Sequence, residues 1–266
     1  MGTATPVGDL LKHWRTARGK SQLDLSVDAE VSTRHISFLE NGKASPSREM
    51  LLVLASALDV PLRERNTLLL SAGFAPVYRE TGLDAPEMAH VRAAIDTILE
   101  QTGPNGAVLV DRGWRALRMN RSISRVMHTF IADPASIAEL AGNVVLGCFE
   151  ERALKGALVN FEEVAHSIVT RLHREVSAEG KDGAAERLLA RVLAYPGLPK
   201  KFHVADPGAQ LDLMIPVHFR KGNLDVKLFT TLTTLGTPLD VTLDELRIES
   251  YYPADDATRA WLREVS

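Results

Sequence analysis

Hydrophobic positions in the first 78 residues recur at intervals of three and four, which predicts a series of short helices. The spacing is clearest over residues 7–14 and again over residues 50–58. Residues that begin or end helices separate these runs: Ser21 with Asp24 three positions later, Ser32, Asn41-Gly42, and Ser45-Pro46 as a cap followed by a first-turn proline. The pattern predicts five helices, the last over residues 62–72.

The hydrophobic pattern changes after residue 106, where strands and helices are both predicted. Residues 107–117 suggest two strands around a turn at Arg112-Gly113, and Lys221-Gly222-Asn223 suggests a hairpin turn. The predicted strands flanking or following that turn cover residues 211–220, 224–234 and 241–252. Helices are predicted over residues 120–130, 160–178 and 184–194, with a short helix at the end. This mixture predicts an α+β domain with an antiparallel sheet.

An irregular stretch separates the two patterns. Residues 73–86 contain two glycines and two prolines and show no hydrophobic period. We therefore expect a helical domain over residues 1–78, a linker over residues 79–86 and an α+β domain over residues 87–266.

Composition narrows the class of protein. The chain has 266 residues, of which 45% are hydrophobic and 24% charged, as in folded globular proteins rather than disordered or fibrous ones. It contains no run of about 18 apolar residues and no secretory hydrophobic segment near its first residue, so we expect a cytoplasmic protein without membrane contact. The one cysteine, Cys148, excludes an internal disulfide framework and a cysteine-rich zinc site.

The strongest functional motif covers residues 21–50, where two short helices meet at a tight turn, Glu30-Val31. The second helix would bury Ile36 and Leu39, and a helix of this size fits the DNA major groove. Its outward side chains are the predicted base contacts: Thr33, Arg34, Ser37 and Phe38, the last of which could instead pack between helices. The predicted contacts to phosphates or the minor groove are Gln22, Asn41, Lys43 and Arg48.

Residues 8–72 resemble the Cro/C1-type (XRE) helix-turn-helix domains of phage repressors, in the pattern SQ…VS…IS.LENGK.SPS. The resemblance implies a lambda-repressor-like domain of five helices and a homodimer on a two-fold related operator. It also implies base contacts at Thr33, Arg34 and Phe38, phosphate contacts at Gln22, Asn41 and Lys43, and a minor-groove arginine at Arg48. The turn residue, usually glycine in that family, is Glu30 here, which predicts a non-glycine residue in left-handed backbone.

The net charge of the helical domain gives only weak support for DNA binding. Residues 1–78 hold nine lysines and arginines and eight acidic residues, a net of +1, against a net of −3 for the whole chain. Specific binding would therefore depend on a dimer and on a few well-placed cations.

The second domain carries a further resemblance. GAVLVDRGWRALRMNRSISRVM resembles the opening of a PAS-type sensor fold, and LFTTLTTLGTPLDVTLDELRIESYYPAD resembles the end of an MmyB-like ligand-binding domain. Together they imply a one-component transcriptional regulator whose PAS-like domain binds a small, largely apolar, fatty-acid-like effector without another cofactor. The candidate pocket residues are Phe130, Phe149, Phe161, Phe229, Thr231 and Thr233, although core packing of the phenylalanines and ordinary strand preference of the threonines are the favoured explanations.

Other chemistries receive little support. Cys148 lies in an apolar context without a resolving partner. A metal site at His166 and His173 would need a third and a fourth ligand, for which Glu162 and Glu163 are the only obvious candidates at helical spacing. The chain has no nucleophile elbow, phosphate-binding loop, dinucleotide fingerprint or HExxH motif, so we expect no enzyme. The alternatives to an effector-controlled regulator are a helix-turn-helix protein that acts through protein contacts, with the second domain as a scaffold, and a PAS-like domain that turns over its ligand.

Overall fold

The computed structural model describes residues 6–179, 183–204, 216–236 and 238–265. The chain divides into two compact units. The first contains the described residues up to 81 together with residues 177–179 and 238–244, and the second contains the remainder.

The first unit is built from five helices, as the hydrophobic spacing predicts. They are α1 (Pro6–Ala17), α2 (Gln22–Asp28), α3 (Thr33–Glu40), α4 (Arg48–Ala57) and α5 (Leu62–Ser71). Their apolar faces enclose one core, in which Trp14 is the largest fully buried side chain. Burial of these stripes, rather than intrinsic helix preference, stabilises helices of seven to twelve residues.

Local capping fixes where these helices begin. Ser21 and Asp24 form the predicted capping box: the Ser21 hydroxyl accepts from the Asp24 amide at 3.1 Å, and the Asp24 carboxylate accepts from the Ser21 amide at 2.8 Å. Ser32 caps α3 as predicted. The cap of α4 is Ser47 rather than Ser45, since the Ser47 hydroxyl accepts from the Met50 amide. The prediction that placed Pro46 inside the first turn was therefore wrong.

The chain segment between the last two strands, residues 238–244, also belongs to the first unit. The Asp240 carboxylate accepts hydrogen bonds from the amide and hydroxyl of Thr81, at 3.2 and 2.7 Å. The Asp244 carboxylate accepts from the Leu62 amide at 3.2 Å, where α5 begins without a side-chain cap of its own. The first unit is thus completed by residues far away in sequence.

The second unit contains an antiparallel sheet of five strands in the order β2-β1-β5-β4-β3. The strands are β1 (Gly106–Val110), β2 (Ala116–Met119), β3 (Val217–Lys221), β4 (Leu224–Thr234) and β5 (Arg247–Pro253). In the central pairings, Val108 of β1 lies opposite Glu249 of β5, and Thr230 of β4 lies opposite Tyr251 of β5. The predicted α+β fold with an antiparallel sheet is confirmed.

Helices cover the sheet and supply most of the second core. They are α6 (Ala89–Gln101), α7 (Arg121–Phe130), α8 (Ala135–Glu139), α9 (Val144–Phe149), α10 (Phe161–Ala178), α11 (Ala184–Leu193) and α13 (Asp256–Val265). Another helix, α12 (Val241–Glu245), belongs to the first unit except for its last residue. The helices predicted over residues 120–130, 160–178 and 184–194 are confirmed as α7, α10 and α11, and Asn120 caps α7.

Two predicted strands differ from the structure. The strand predicted over residues 241–252 is the short helix α12 followed by β5, because the Asp240 carboxylate accepts from the Thr242 amide at 2.9 Å and starts a helical turn. The strand predicted over residues 211–220 is β3, which begins at Val217, and residues 211–215 lie outside the described residues. The hairpin turn is confirmed, with Gly222 at φ 61°.

Candidate nucleic-acid interface and ligand cavity

The outer face of α3 carries a cationic surface around one aromatic ring. The Arg34 guanidinium carbon lies 5.2 Å from the centre of the Phe38 ring, and Lys43 Nζ lies 6.0 Å from it. Arg34 and Lys43 are exposed, whereas Phe38 is half-buried. The ring thus holds two cations on the face where the sequence predicts base contacts.

The smaller predicted contacts on this face are engaged in local hydrogen bonds. The Thr33 hydroxyl donates to Ser26 Oγ at 3.0 Å, which joins the start of α3 to α2. The Asn41 side-chain Nδ2 donates to the Ser37 carbonyl at 2.7 Å, at the end of α3. Ser37 is half-buried and Asn41 exposed. These bonds fix the side chains beside Arg34 before any DNA is present.

A buried ion pair joins α3 to α1. Arg15 Nε and Nη2 donate to the two carboxylate oxygens of Glu40 at 2.6 and 2.9 Å, and Gln22 Nε2 donates to Glu40 Oε2 at 2.8 Å. Burial by itself would raise the pKa of Glu40, but the hydrogen bonds from Arg15 and Gln22 and the charge of Arg15 hold it below its usual value. The pair fixes α3 against the core, and it engages the amide group of Gln22, a predicted phosphate contact.

Several other cations of the first unit are bound to carbonyls or carboxylates. Arg18 donates to the Leu58 and Asp59 carbonyls, and Lys20 donates to the Ala57 carbonyl. The cations of the predicted interface are different: Arg34, Lys43 and Arg48 are exposed and form no salt bridge with any described residue. A net charge of +1 therefore still leaves an uncompensated positive surface around α3.

The turn that precedes α3 has the predicted backbone. Glu30 adopts φ 53°, in the left-handed region that glycine occupies at lower cost. Its side chain is exposed. The tight turn is therefore formed despite the non-glycine residue.

The second unit encloses a cavity of about 330 Å³, within the range of roughly 300–1,000 Å³ typical of small-molecule sites. Helices α7 to α10 and the inner face of the sheet line it. Most of the lining is apolar and includes Val108, Met127, Ile131, Ile137, Val144, Ile168 and Phe219. The polar lining includes Ser124, Asn143, Ser167, Arg171, Thr230, Glu249 and Tyr251.

The six pocket residues chosen from the sequence do not line this cavity. Phe130 stacks on Phe219 at 5.1 Å, and Phe149 packs edge-on against Phe161 at 5.8 Å. The other three, Phe229, Thr231 and Thr233, share the opposite face of β4, where Phe229 stacks on Tyr252 and both threonines are exposed. Side chains alternate along a strand, so Thr230 lines the cavity and its neighbours cannot.

A polar cluster lies in the cavity wall. Tyr251 donates its hydroxyl to Glu249 Oε2 at 2.6 Å, while Arg171 Nη1 lies 3.8 Å from Glu249 Oε1, beyond hydrogen-bond distance. Glu249 is buried, and Arg171 Nε is buried without a hydrogen-bond partner among the described residues. Burial, and then the charge and hydrogen bond of Glu249, raise the pKa of Tyr251 well above its usual value.

Trp114 positions the arginine of this cluster. The Arg171 guanidinium carbon lies 3.8 Å from the centre of the fully buried Trp114 ring, whose indole N–H donates to Glu175 at 2.9 Å. Glu175 also accepts from Arg247 at 2.6 Å. Trp114 adopts φ 62°, unusual for a bulky residue. The hydrogen bond to Glu175 therefore fixes the Trp114 ring, and the Arg171 guanidinium packs against the face of that ring.

Sequence reasoning missed Arg171, Glu249 and Tyr251, although the sequence contains a signal for the first two. Arg171 interrupts the apolar stripe of α10 between Ile168 and Leu172, and Glu249 lies inside a strand that is otherwise buried. A charged residue in an apolar stripe or buried strand has to be paired or functional.

The remaining candidates, Cys148, His166 and His173, are each engaged by neighbouring groups. Burial and the nearby charge of Glu249 raise the pKa of Cys148 to about 12, which disfavours the reactive thiolate. His166 stacks on Phe202, and His173 bonds to the Phe202 carbonyl at 2.9 Å. Within the described ranges, no three potential metal-ligating side chains come together, and no helix is both long and apolar enough to cross a bilayer.

Comparison with known proteins gives two family matches and two curated relatives. Residues 91–265 match the MmyB-like transcription regulator ligand binding domain, and residues 11–65 match the helix-turn-helix family. The transcriptional regulators ClgR of two Mycobacterium tuberculosis strains, CDC 1551 / Oshkosh and ATCC 25618 / H37Rv, are each 36% identical over 67 residues. That alignment covers 25% of this chain and 57% of each relative.

Proposed function

The chain belongs to the MmyB-like transcription regulators, and from this premise we propose that it binds operator DNA through α3 and a small, largely apolar effector in the cavity of its second unit. The observation that carries the proposal is the apolar cavity of about 330 Å³ in a chain that also contains a helix-turn-helix unit. Through a binding domain of this kind, a small molecule can control the DNA binding of the regulator.

In the DNA-binding part of the proposal, α3 enters the major groove. The proposed base contacts are Thr33, Arg34, Ser37 and Phe38, and the proposed phosphate or minor-groove contacts are Gln22, Asn41, Lys43 and Arg48. Arg34 is the main sequence-reading residue, because an exposed guanidinium can pair with the N7 and O6 atoms of guanine. The uncompensated charges of Lys43 and Arg48 support the phosphate assignment.

We further propose a homodimer on a two-fold related operator, with half-sites about 34 Å apart, one turn of DNA. The effector controls DNA binding if it favours one arrangement of the dimer over another; a tenfold change in operator affinity requires about 1.4 kcal/mol of coupling.

The proposed route of coupling is the connection between β4 and β5. Both strands contribute to the cavity wall, through Thr230 and Tyr251. The residues between them, 238–244, belong to the first unit, where Asp240 and Asp244 accept hydrogen bonds. A displacement of either strand by an effector is therefore transmitted through the covalent chain to residues that complete the helical unit.

The test combines native mass spectrometry with selection of bound duplexes from a random-sequence pool. The proposal predicts a dimer that enriches a two-fold related sequence, and a co-purified or added apolar molecule that changes the affinity for that sequence. Selection without enrichment would contradict operator binding and favour the protein-contact alternative. Enrichment that no apolar compound alters would contradict the effector assignment alone.

A further inference from the structure

The end of helix α3 brings Lys43 close to the ring of Phe38. The Lys43 amide donates to the Phe38 carbonyl at 2.8 Å. The Gly42 amide donates to the Leu39 carbonyl at 3.1 Å, and Gly42 adopts φ 66°. These two bonds form the Schellman motif, which turns the chain back over the last turn of a helix and places the residues at the positions of Lys43 and Phe38 in contact. The backbone therefore fixes Lys43 beside the ring.

Arg34 reaches the same ring from the preceding turn of α3. Residues 34 and 38 are four positions apart, the spacing at which side chains share one face of a helix. The Arg34 guanidinium carbon lies 5.2 Å from the ring centre and Lys43 Nζ lies 6.0 Å from it, within the distance of about 6 Å at which an aromatic face attracts a cation. Neither cation forms a salt bridge with a described residue, so the half-buried ring is the group that attracts both.

An aromatic partner leaves the hydrogen-bonding groups of a cation free. The face of a ring attracts charge without accepting the N–H groups, so Arg34 and Lys43 keep all their donors. A carboxylate would accept those donors and neutralise the charge, as Glu80 does with Arg63. Long side chains also lose rotamer entropy when DNA fixes them, and a ring that already restricts them lowers that loss. The arrangement therefore suits cations that contact DNA.

Building on the proposed binding of DNA through α3, we propose that Phe38 is a positioning residue of this interface. Its ring holds the Arg34 guanidinium for a guanine edge and the Lys43 ammonium for a phosphate, so base reading and backbone anchoring depend on one side chain. This role comes from the negative face of the ring and does not require the ring to contact a base. DNA affinity should therefore follow the electron density of the ring at constant shape.

The experiment replaces Phe38 in the full chain by phenylalanines that carry one, two, three or five ring fluorines. Fluorine withdraws electrons from the negative face of the ring and changes its shape little. Fluorescence anisotropy gives the dissociation constants for the selected duplex and for a scrambled duplex. We expect affinity for the selected duplex to fall by about tenfold over the series, since two exposed cations each lose about threefold. The scrambled duplex should lose about threefold, because it lacks the base contact of Arg34.

The two proposals fail in different ways. Affinity for the selected duplex that is unchanged or higher across the series would overturn the positioning role and favour direct contact of the ring with a thymine methyl, because fluorination keeps the apolar surface. Failure of the unmodified chain to select any duplex would overturn the proposed DNA binding itself, and the role of Phe38 with it.

Variants separate this role from a structural one. In Arg34→Ala the fluorine series has one cation left to act on, so the loss should shrink from about tenfold to about threefold. A loss that keeps its full size in Arg34→Ala would show that the ring acts through the fold, and would overturn the proposal. Phe38→Tyr keeps the aromatic face and should retain binding, whereas Phe38→Leu keeps only apolar packing and should bind about tenfold more weakly.

The matched control is Phe161 in the second unit, whose ring also lies near a cation: Lys155 Nζ is 5.0 Å from its centre. The same fluorinated residues at position 161 should leave both dissociation constants unchanged. Equal losses at positions 38 and 161 would show that fluorination weakens binding without regard to Arg34 and Lys43, and would overturn the role assigned to Phe38.

Discussion

Glu40 in the helical unit and Glu249 in the sheet-containing unit are both buried and both face an arginine, and the two pairs differ in how completely they are bonded. In the helical unit, Arg15 and Glu40 meet through two hydrogen bonds of 2.6 and 2.9 Å, and Gln22 adds a third. In the sheet-containing unit, Arg171 and Glu249 approach only to 3.8 Å. The first pair is joined by direct hydrogen bonds, whereas the two side chains of the second pair attract each other without a hydrogen bond between them.

The difference teaches how to distinguish a structural ion pair from a binding site. A buried charge costs several kcal/mol unless it is paired and hydrogen-bonded. We therefore expect both side chains of a purely structural ion pair to form all the hydrogen bonds that they can. Arg171 is instead supported by the face of Trp114, which positions the guanidinium without occupying its hydrogen-bond donors.

The largest expected effect is the loss of the saturated pair. Glu40→Gln leaves Arg15 charged and buried, which should destabilise the helical unit by about 3 kcal/mol. The matched change Glu249→Gln should cost less than about 1 kcal/mol, because Arg171 is more exposed and less bonded. Hydrogen exchange followed by mass spectrometry measures both in the full chain, through peptides from α1 and α3 and from α10 and β5. Equal losses at the two sites would remove the distinction between the pairs.

Low pH should destabilise the helical unit by protonating the Glu40 carboxylate. Because the pKa of Glu40 is lower in the folded chain than its usual value of 4.5, its stabilising effect is complete above that value and is lost as the pH falls through the folded pKa. Exchange in α3, corrected for intrinsic rates, should accelerate as the pH falls below 4.5 and through the lower pKa of folded Glu40. In Glu40→Gln this acid-dependent component should be reduced, and an identical pH profile would contradict the assignment.

The cations around α3 should separate by role. Arg34→Ala should cost about 1–3 kcal/mol on the preferred duplex and relax the preference at one base pair. Lys43→Ala should weaken all sequences about equally and lower the salt dependence of binding. Fluorescence anisotropy with the selected duplex and a scrambled duplex measures both, with Arg63→Ala as a control on a cation that is paired with Glu80. Unchanged binding in both variants would contradict the assigned interface.

The smallest effect concerns the helix-turn-helix turn. Glu30→Gly relieves left-handed backbone at φ 53° and should stabilise the helical unit by up to about 1 kcal/mol, less the greater chain entropy of glycine. Thermal unfolding monitored by circular dichroism measures the change. Lower stability would show that Glu30 makes a favourable contribution larger than the strain.

The helical unit was predictable because its signals are local. Caps such as Ser21 and Ser32 lie within three residues of the amides that they bind, and the apolar spacing defines each buried face. Errors arose where a different side chain supplied the cap. Ser47 rather than Ser45 caps α4, and Asp240 starts a helix where a strand was expected.

The cavity was less predictable, because its wall combines residues that are distant in sequence. Because side chains alternate between the two faces along β4, an error of one residue was enough to select Thr231 and Thr233 instead of Thr230. The meeting of Arg171 with Glu249 depends on how α10 packs over β5, which no local pattern specifies. Only the presence of charged residues in apolar contexts marked them beforehand.

The most direct test of the contrast between the two pairs is a nitrogen–proton correlation spectrum of the arginine Nε–H groups in the full chain, recorded for the unchanged sequence, for Glu40→Gln and for Glu249→Gln. The account predicts that the Arg15 signal shifts in Glu40→Gln, because its Nε–H is bonded to the carboxylate, and that the Arg171 signal shifts much less in Glu249→Gln, because its Nε–H has no such bond to lose. An Arg15 signal that stays in place in Glu40→Gln, or an Arg171 signal that moves equally far in Glu249→Gln, would contradict the account.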